Sequence, residues 1–479
     1  MYFDFDACRF QDHESDHDAW AVIAHDRSLT WQQLESQARA WCEHAQALGL
    51  RADAPIVIRG HKEAAFMVAL TGALMLRAPF VPVDAVYPQS RLQSIIDTLD
   101  ANLLYDTATG SFHVLREGPP PTLAESGLCY IMFTSGTTGQ PKGVQIGRES
   151  VQGLIDWMRL DFDLGPHPVF LNHTVFSFDV SLYDVFGTLA LGGSIMMLDR
   201  DTAAAPLKVA EQITHHAVST WVSTPSFAQQ QLLNPGFSQT GLPSLRIFLF
   251  CGEPLPVPLA RTLRKRFPDL PILNTYGPTE ATVATTLLRV EDSHLANDAI
   301  MPIGRAKRDS WVFCDAGELC IAGPHVMRGY INRPDLNASR MFERDGQRGF
   351  RTGDLGTEAA DGMLYCHGRI DDQIKLNGYR LELLEVDAAL ATLPGARPAA
   401  TVALRRANGA VARLVAFVET GSTEARLPQD LADWKVLLAR KLPHYMLPTE
   451  LLACERMPVS VNVKIDRARL AEIYQALNA

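Results

Sequence analysis

The densest chemical signal in the chain is the run FTSGTTGQPKG, residues 133–143, which directly follows an apolar strand predicted over residues 128–133. Gly136, Gly139 and Gly143 let the backbone approach a ligand and turn its N–H groups inward. Thr134, Ser135, Thr137 and Thr138 add hydroxyl donors, and Lys142 adds a cation. Such a loop suits a polyphosphate, although it does not fit the Walker A spacing. Farther along, NTYGPTE (274–280) combines the aromatic face of Tyr276, a Gly277-Pro278 turn and the hard carboxylate of Glu280. An aromatic face can stack on a purine, and a carboxylate can hold a hard cation. Asp354 lies in a TGD turn and is suited to accept two neighbouring hydroxyls at once.

These groups need a scaffold. Residues 28–49 read as an amphipathic helix opened by Thr30 as N-cap, with Trp31, Leu34, Ala38 and Trp41 at helical spacing. Short apolar strands follow, among them 54–58, 169–171 and 247–250. Helices alternating with continuous apolar strands imply an α/β fold whose parallel sheets are covered on both faces. Near Ile370 the texture changes to a charged segment, DDQIKLNGYRLELLEVD, then strands at 400–404 and 412–418 and a helix at 430–441. At 479 residues the chain is too long for one core. The expected division is a large layered N-terminal domain, residues 1–370, and a small mobile α+β domain, residues 371–479.

Bulk properties narrow the function. A net charge of −10 argues against nucleic acid or an anionic membrane as the main partner. The eight cysteines contain no C-x-x-C pair, which argues against zinc and for reduced thiols in the cytoplasm. The N-terminus lacks a basic segment before an apolar run, so no signal peptide is expected. Apolar stretches such as 64–76 are too short to span a bilayer.

The loop at 133–143 resembles the phosphate-binding motif of the adenylate-forming superfamily of acyl-CoA ligases, luciferases and nonribosomal-peptide adenylation domains. The resemblance continues in the family's order through nearly the whole chain. LTWQQL, FVPVD, FDVS, NTYGPTE, GELCIAGPHVMRGY, FRTGDL, GRIDDQIKLNGYRLE, LPHYMLP and NVKIDR carry it. It implies the superfamily's fold, with ATP as cosubstrate and Mg2+ as cofactor. It also implies that Tyr276 packs on adenine within Asn274, Thr275, Gly277, Pro278 and Thr279, that Glu280 helps to hold Mg2+, and that Asp354 and Arg369 contact the nucleotide. Lys464 matches the catalytic lysine that bridges the substrate carboxylate and the α-phosphate. A fixed ammonium there counters the repulsion between two anions as they meet. Val463 stands where the family usually has glycine. Asp371 matches the hinge about which the small domain swings, and Gly378 the lining of a thiol channel.

Asp179, in FDVS, matches the aspartate that binds the substrate ammonium in amino-acid-activating members. By the same resemblance the pocket is lined by Val180, Tyr183, Ser223, Leu249, Cys251, Thr275, Val283 and Ala284. Tyr183 fills volume, and no charged group stands ready for a long polar side chain, so a small amino acid is expected. TWVSTPSF, FLFCGEPLP and NTYGPTEATVA are similar to the members that load D-alanine onto a carrier protein. Tyr183 and the shortened stretch before FVPVD depart from that subgroup. The expected activity is therefore activation of D-alanine and its transfer to a phosphopantetheinylated acyl carrier protein in trans. A stand-alone adenylation enzyme for L-serine, L-alanine or L-proline is an alternative, as is a catalytically silent nucleotide-binding homologue.

Overall fold

Thr30 opens the first helix as its sequence suggests. Its hydroxyl accepts from the backbone N–H of Gln33, whose side chain returns the contact to the backbone of Thr30, and the helix runs over Trp31–Ala47. Trp31, Leu34, Ala38 and Trp41 face inward, as their spacing requires. The computed structural model describes residues 1–11, 18–135, 141–297, 300–370, 373–376, 378–393, 399–406, 411–419, 428–459 and 465–478.

The chain divides into two units. One comprises Met1–Ala85, Ile96–Met132 and Gly143–Ile370; the other comprises Val86–Ile95, Phe133–Lys142 and Asp371–Ala479. A nine-stranded sheet holds the strands that matter most for function. Its central strands, Ile272–Tyr276, Ile247–Phe250, Thr220–Ser223, Val169–Asn172 and Ser194–Met197, are parallel neighbours. All but a few of their residues are buried, which explains their unbroken apolar runs. A seven-stranded sheet contains Phe80–Asp84, Ile56–Gly60 and Leu103–Asp106 in parallel, with Leu128–Thr134 beside Phe80–Asp84.

A third sheet is antiparallel throughout and was not legible from helix–strand alternation. It pairs Trp311–Asp315, Glu318–Ala322, Gln347–Glu358, Met341–Arg344 and Leu364–Arg369. In the second unit the charged segment after Ile370 contains paired strands, Gln373–Leu376 and Tyr379–Glu382, followed by the helix Leu383–Leu390. A three-stranded sheet, Ala399–Arg405, Val411–Glu419 and Glu450–Cys454, completes a separate apolar core with the helix Arg467–Leu477. Arg91 and Glu385 form a buried ion pair at 2.5 Å within this unit.

Candidate active site

Strand ends supply the site's main groups. Ile272–Tyr276 ends at Tyr276, whose phenol donates to Oδ2 of Asp354 at 2.6 Å. Arg369 Nη1 donates to Oδ1 of the same carboxylate and to the carbonyl of Thr352, each at 2.9 Å. Strands Gln347–Glu358 and Leu364–Arg369 pair in a register that sets Asp354 opposite Arg369. Burial, and then the Asp354 charge, hold the Tyr276 phenol well above its ordinary pKa, so it remains a donor. Gly353 has φ of +75°, and a Cβ there would come within 2.6 Å of Arg369 Nη2. Thr352–Asp354, expected as a turn, lies inside the strand Gln347–Glu358, and Gly353 is needed there both for its positive φ and for the close approach of Arg369. Asn274 Nδ2 donates to the carbonyl of Pro302 at 2.9 Å.

Glu280 lies on a short 3-10 turn, Thr279–Ala281, and is fully buried. Its Oε1 accepts from the phenol of Tyr330 at 2.6 Å. Among the described residues no group of three or more His, Cys, Asp or Glu could hold a metal ion. A single buried carboxylate does fit Mg2+ in its usual nucleotide setting, where phosphates and water complete the shell.

Asp179 sits in the turn between strand Val169–Asn172 and helix Ser181–Leu191 and is buried. That turn is anchored from below by Lys62, which donates to Asn172 Oδ1 and to the carbonyl of Thr174. The Phe176 ring lies 4.4 Å from the Lys62 ammonium, and Asn172 Nδ2 donates to Asp184 at 2.7 Å. Burial pushes Lys62 down to about 7 and raises Asp184. Val180, Tyr183, Leu249, Cys251, Val283 and Ala284 are all buried. The Tyr183 phenol donates to the Thr275 hydroxyl at 3.2 Å, which in turn donates to the carbonyl of Phe250 at 3.0 Å. Ser223 accepts from the Trp221 indole at 2.7 Å and donates to the Thr224 carbonyl at 2.8 Å. Its hydroxyl is thus bonded on both sides within the fold. The Cys251 sulfur lies 3.9 Å from the carbonyl of Val283.

In the second unit Ser135 Oγ donates to the carbonyl of Arg380 at 3.1 Å, and Lys142 Nζ lies 3.5 Å from Glu382 Oε1. Thr134 Oγ1 is buried with no hydrogen-bond partner among the described residues. Gly378 has φ of +86°. Gly136, Thr137, Thr138, Gly139, Asp371 and Lys464 lie outside the described residues.

Sequence reasoning missed several groups that hold the site. Tyr330 and Gly353 stood inside quoted motifs, and that proximity was a usable signal. Lys307, whose Nζ donates to the carbonyl of Ala284 at 2.9 Å, had none, because in RAKRDS it reads as one charge of an exposed basic run.

The AMP-binding enzyme family model matches residues 10–331. The chain is 36% identical over 450 residues to a D-alanine--D-alanyl carrier protein ligase of Bacillus velezensis, covering 88% of this chain and 89% of the relative. It is 34% identical to the ligase of that name from Bacillus licheniformis, covering 95% and 96%. Among solved structures, the Vibrio cholerae adenylation domain AlmE in complex with glycyl-adenosine-5'-phosphate superposes with a TM-score of 0.83. That pair is 23% identical and covers 98% of this chain and 97% of the other. A nonribosomal peptide synthetase protein containing adenylation and PCP domains superposes at 0.78 and 25% identity, covering 95% and 81%.

Proposed function

The chain belongs to the AMP-binding enzyme family, and we propose that within it the protein activates D-alanine as D-alanyl-AMP and transfers it to a carrier-protein thiol. The observation that carries this reading is the coverage and level of identity to two Bacillus ligases named for that activity. The structural support is that Asp179, Tyr183, Cys251 and Val283 are all buried, with Tyr183 bonded to Thr275 and Cys251 against the Val283 carbonyl.

In this reading Asp179 pairs with the substrate ammonium, Tyr276 stacks on adenine and Asp354, steadied by Arg369, accepts the ribose hydroxyls. The loop from Thr134 to Lys142 holds the phosphates, and Glu280 would hold Mg2+, which supplies charge neutralisation on them. Lys464 lies between the two anions as a carboxylate oxygen attacks the α-phosphorus, forming the acyl–phosphate bond while pyrophosphate departs. A phosphopantetheine thiol then attacks the acyl carbon, the carbon–sulfur bond forms and AMP leaves. The two steps need different groups near the adenylate. Residues 371–479 act as a mobile domain turning at Asp371, and Gly378 leaves room for the thiol arm. The setting is the cytoplasm, where ATP and a carrier protein in trans are available and the free thiols stay reduced.

ATP–pyrophosphate exchange with D-alanine, L-alanine, glycine, L-serine and L-proline, followed by loading of a phosphopantetheinylated carrier, tests the proposal. Exchange strongest with D-alanine is expected. Preference for an L-amino acid would assign the protein to secondary metabolism, and no exchange with any would mark it as a silent nucleotide binder.

A further inference from the structure

Thr282 and Val283 have φ of +52° and +69°. β-Branched side chains rarely enter this left-handed region, because Cβ crowds the backbone there. Two in succession, directly after the turn that carries Glu280, must be held by their surroundings. The restraints are visible. The Thr282 hydroxyl donates to the carbonyl of His325 at 2.7 Å, and Ala284 N–H donates back to Thr282 at 2.8 Å. Gly277 lies so close that a Cβ there would come within 2.5 Å of the Ala284 Cα. The Thr285 hydroxyl meets His325 Nε2 at 2.9 Å.

The remaining restraint is a buried amine. Lys307 Nζ donates to the carbonyl of Ala284 at 2.9 Å, with the ring of Trp157 4.9 Å from it. Its backbone N–H donates to Thr285 at 2.8 Å, so both ends of the residue grip the same segment. A buried ammonium is costly and survives where its hydrogen bond is needed. Burial pushes Lys307 down to about 7, which leaves a donor whether or not it is charged. On the other side of the segment the Val283 carbonyl faces the Cys251 sulfur at 3.9 Å.

We infer that Lys307 is a positioning residue for the amino-acid pocket: by holding the Ala284 carbonyl it keeps the left-handed Thr282–Ala284 wall in place against Cys251. It thereby determines how tightly, and in which hand, a small amino acid is held. This rests on the reading of Cys251, Val283 and Ala284 as pocket lining.

Steady-state pyrophosphate exchange on Lys307→Met and Lys307→Arg, beside wild type, tests it. Wild type that activates no amino acid would refute the functional reading itself. Given active wild type, Lys307→Met should raise KM for D-alanine roughly tenfold and narrow the D/L ratio severalfold, a specificity change of the size that small pocket shifts produce. KM for ATP should stay within about twofold, because the side-chain bond from the Tyr276 phenol to Asp354 includes no atom of this wall. Lys307→Arg keeps a cation and donor of different reach, and should shift the same two quantities in the same direction by less. If Lys307→Met fails to fold, the arginine variant alone decides. Unchanged amino-acid KM and D/L ratio, or a proportional rise of both KM values, would mean that Lys307 only supports the fold.

Discussion

Tyr276 and Asp354, 78 residues apart, are joined by a 2.6 Å hydrogen bond from phenol to carboxylate. Arg369 occupies the other carboxylate oxygen, so an aromatic face and a charged acceptor form one rigid corner. Asp354→Ala should remove the proposed ribose contact and leave Arg369 without its acceptor. Hydrogen bonds to a charged group contribute about 1.5–3 kcal/mol, so KM for ATP should rise roughly 10- to 100-fold. The amino-acid KM should move little, which exchange kinetics with each substrate varied in turn would check.

Asp179→Ala tests the ammonium contact. Leaving a buried cation unpaired costs on the order of 3–5 kcal/mol, or roughly a hundred- to a few-thousandfold in kcat/KM for the amino acid. ATP binding by calorimetry should be nearly unaffected. Near wild-type exchange by this variant would remove the basis for an amino-acid substrate.

Cys251 lies against the Val283 carbonyl in the proposed pocket wall. Cys251→Ala opens space the size of one sulfur, so L-alanine should be accepted better and the D/L ratio should narrow. Such a change is worth at most about 1–3 kcal/mol of discrimination. Competition between the two enantiomers in a single exchange assay measures it.

His173 stacks on Phe227 with ring centroids 3.8 Å apart, and burial, then Lys62, push it down to about 3. The folded protein keeps this imidazole neutral while the unfolded chain protonates it near its ordinary value of 6.5. Its contribution is therefore fully present above pH 6.5 and is lost as pH falls from there towards 3. At pH 5 the loss should be about 2 kcal/mol relative to pH 7.5. Denaturant unfolding of His173→Phe at both pH values should show a shallower decline than wild type. Parallel declines would mean that the ring takes up a proton inside the fold.

Lys464 separates the half-reactions. Its ammonium is needed only while carboxylate meets phosphate, so Lys464→Ala should slow adenylation by at least roughly a hundred- to a thousandfold. Acyl transfer from supplied D-alanyl-AMP should continue at a near-normal rate. Asp371→Pro should do the reverse, because a fixed φ hinders the turn between steps. Single-turnover assays of each step would reveal either pattern, and equal loss of both steps in the lysine variant would make Lys464 structural.

What the residues alone determined is what depends on near neighbours in the chain. The Thr30 cap, the buried strand Ile247–Phe250 and the turn carrying Glu280 are each written in a few consecutive residues. Propensity, periodicity and short ligand-binding loops act over that range, so they can be read directly. Tertiary structure decided the rest. The charged run after Ile370 became paired strands and a largely buried helix because its apolar residues, Ile374, Leu376, Leu381 and Val386, found a core among distant segments. Thr282 and Val283 carry no local sign of a left-handed backbone, since their own preference opposes it and the contacts around the segment, with His325, Gly277 and Lys307, come from elsewhere in the chain. Lys307 looks like surface charge in its own run and becomes a buried donor only when Trp157 and Ala284 close over it, 150 and 23 positions away in the chain. A side chain's burial and its partner are properties of the packed whole, and no window of neighbouring residues contains them.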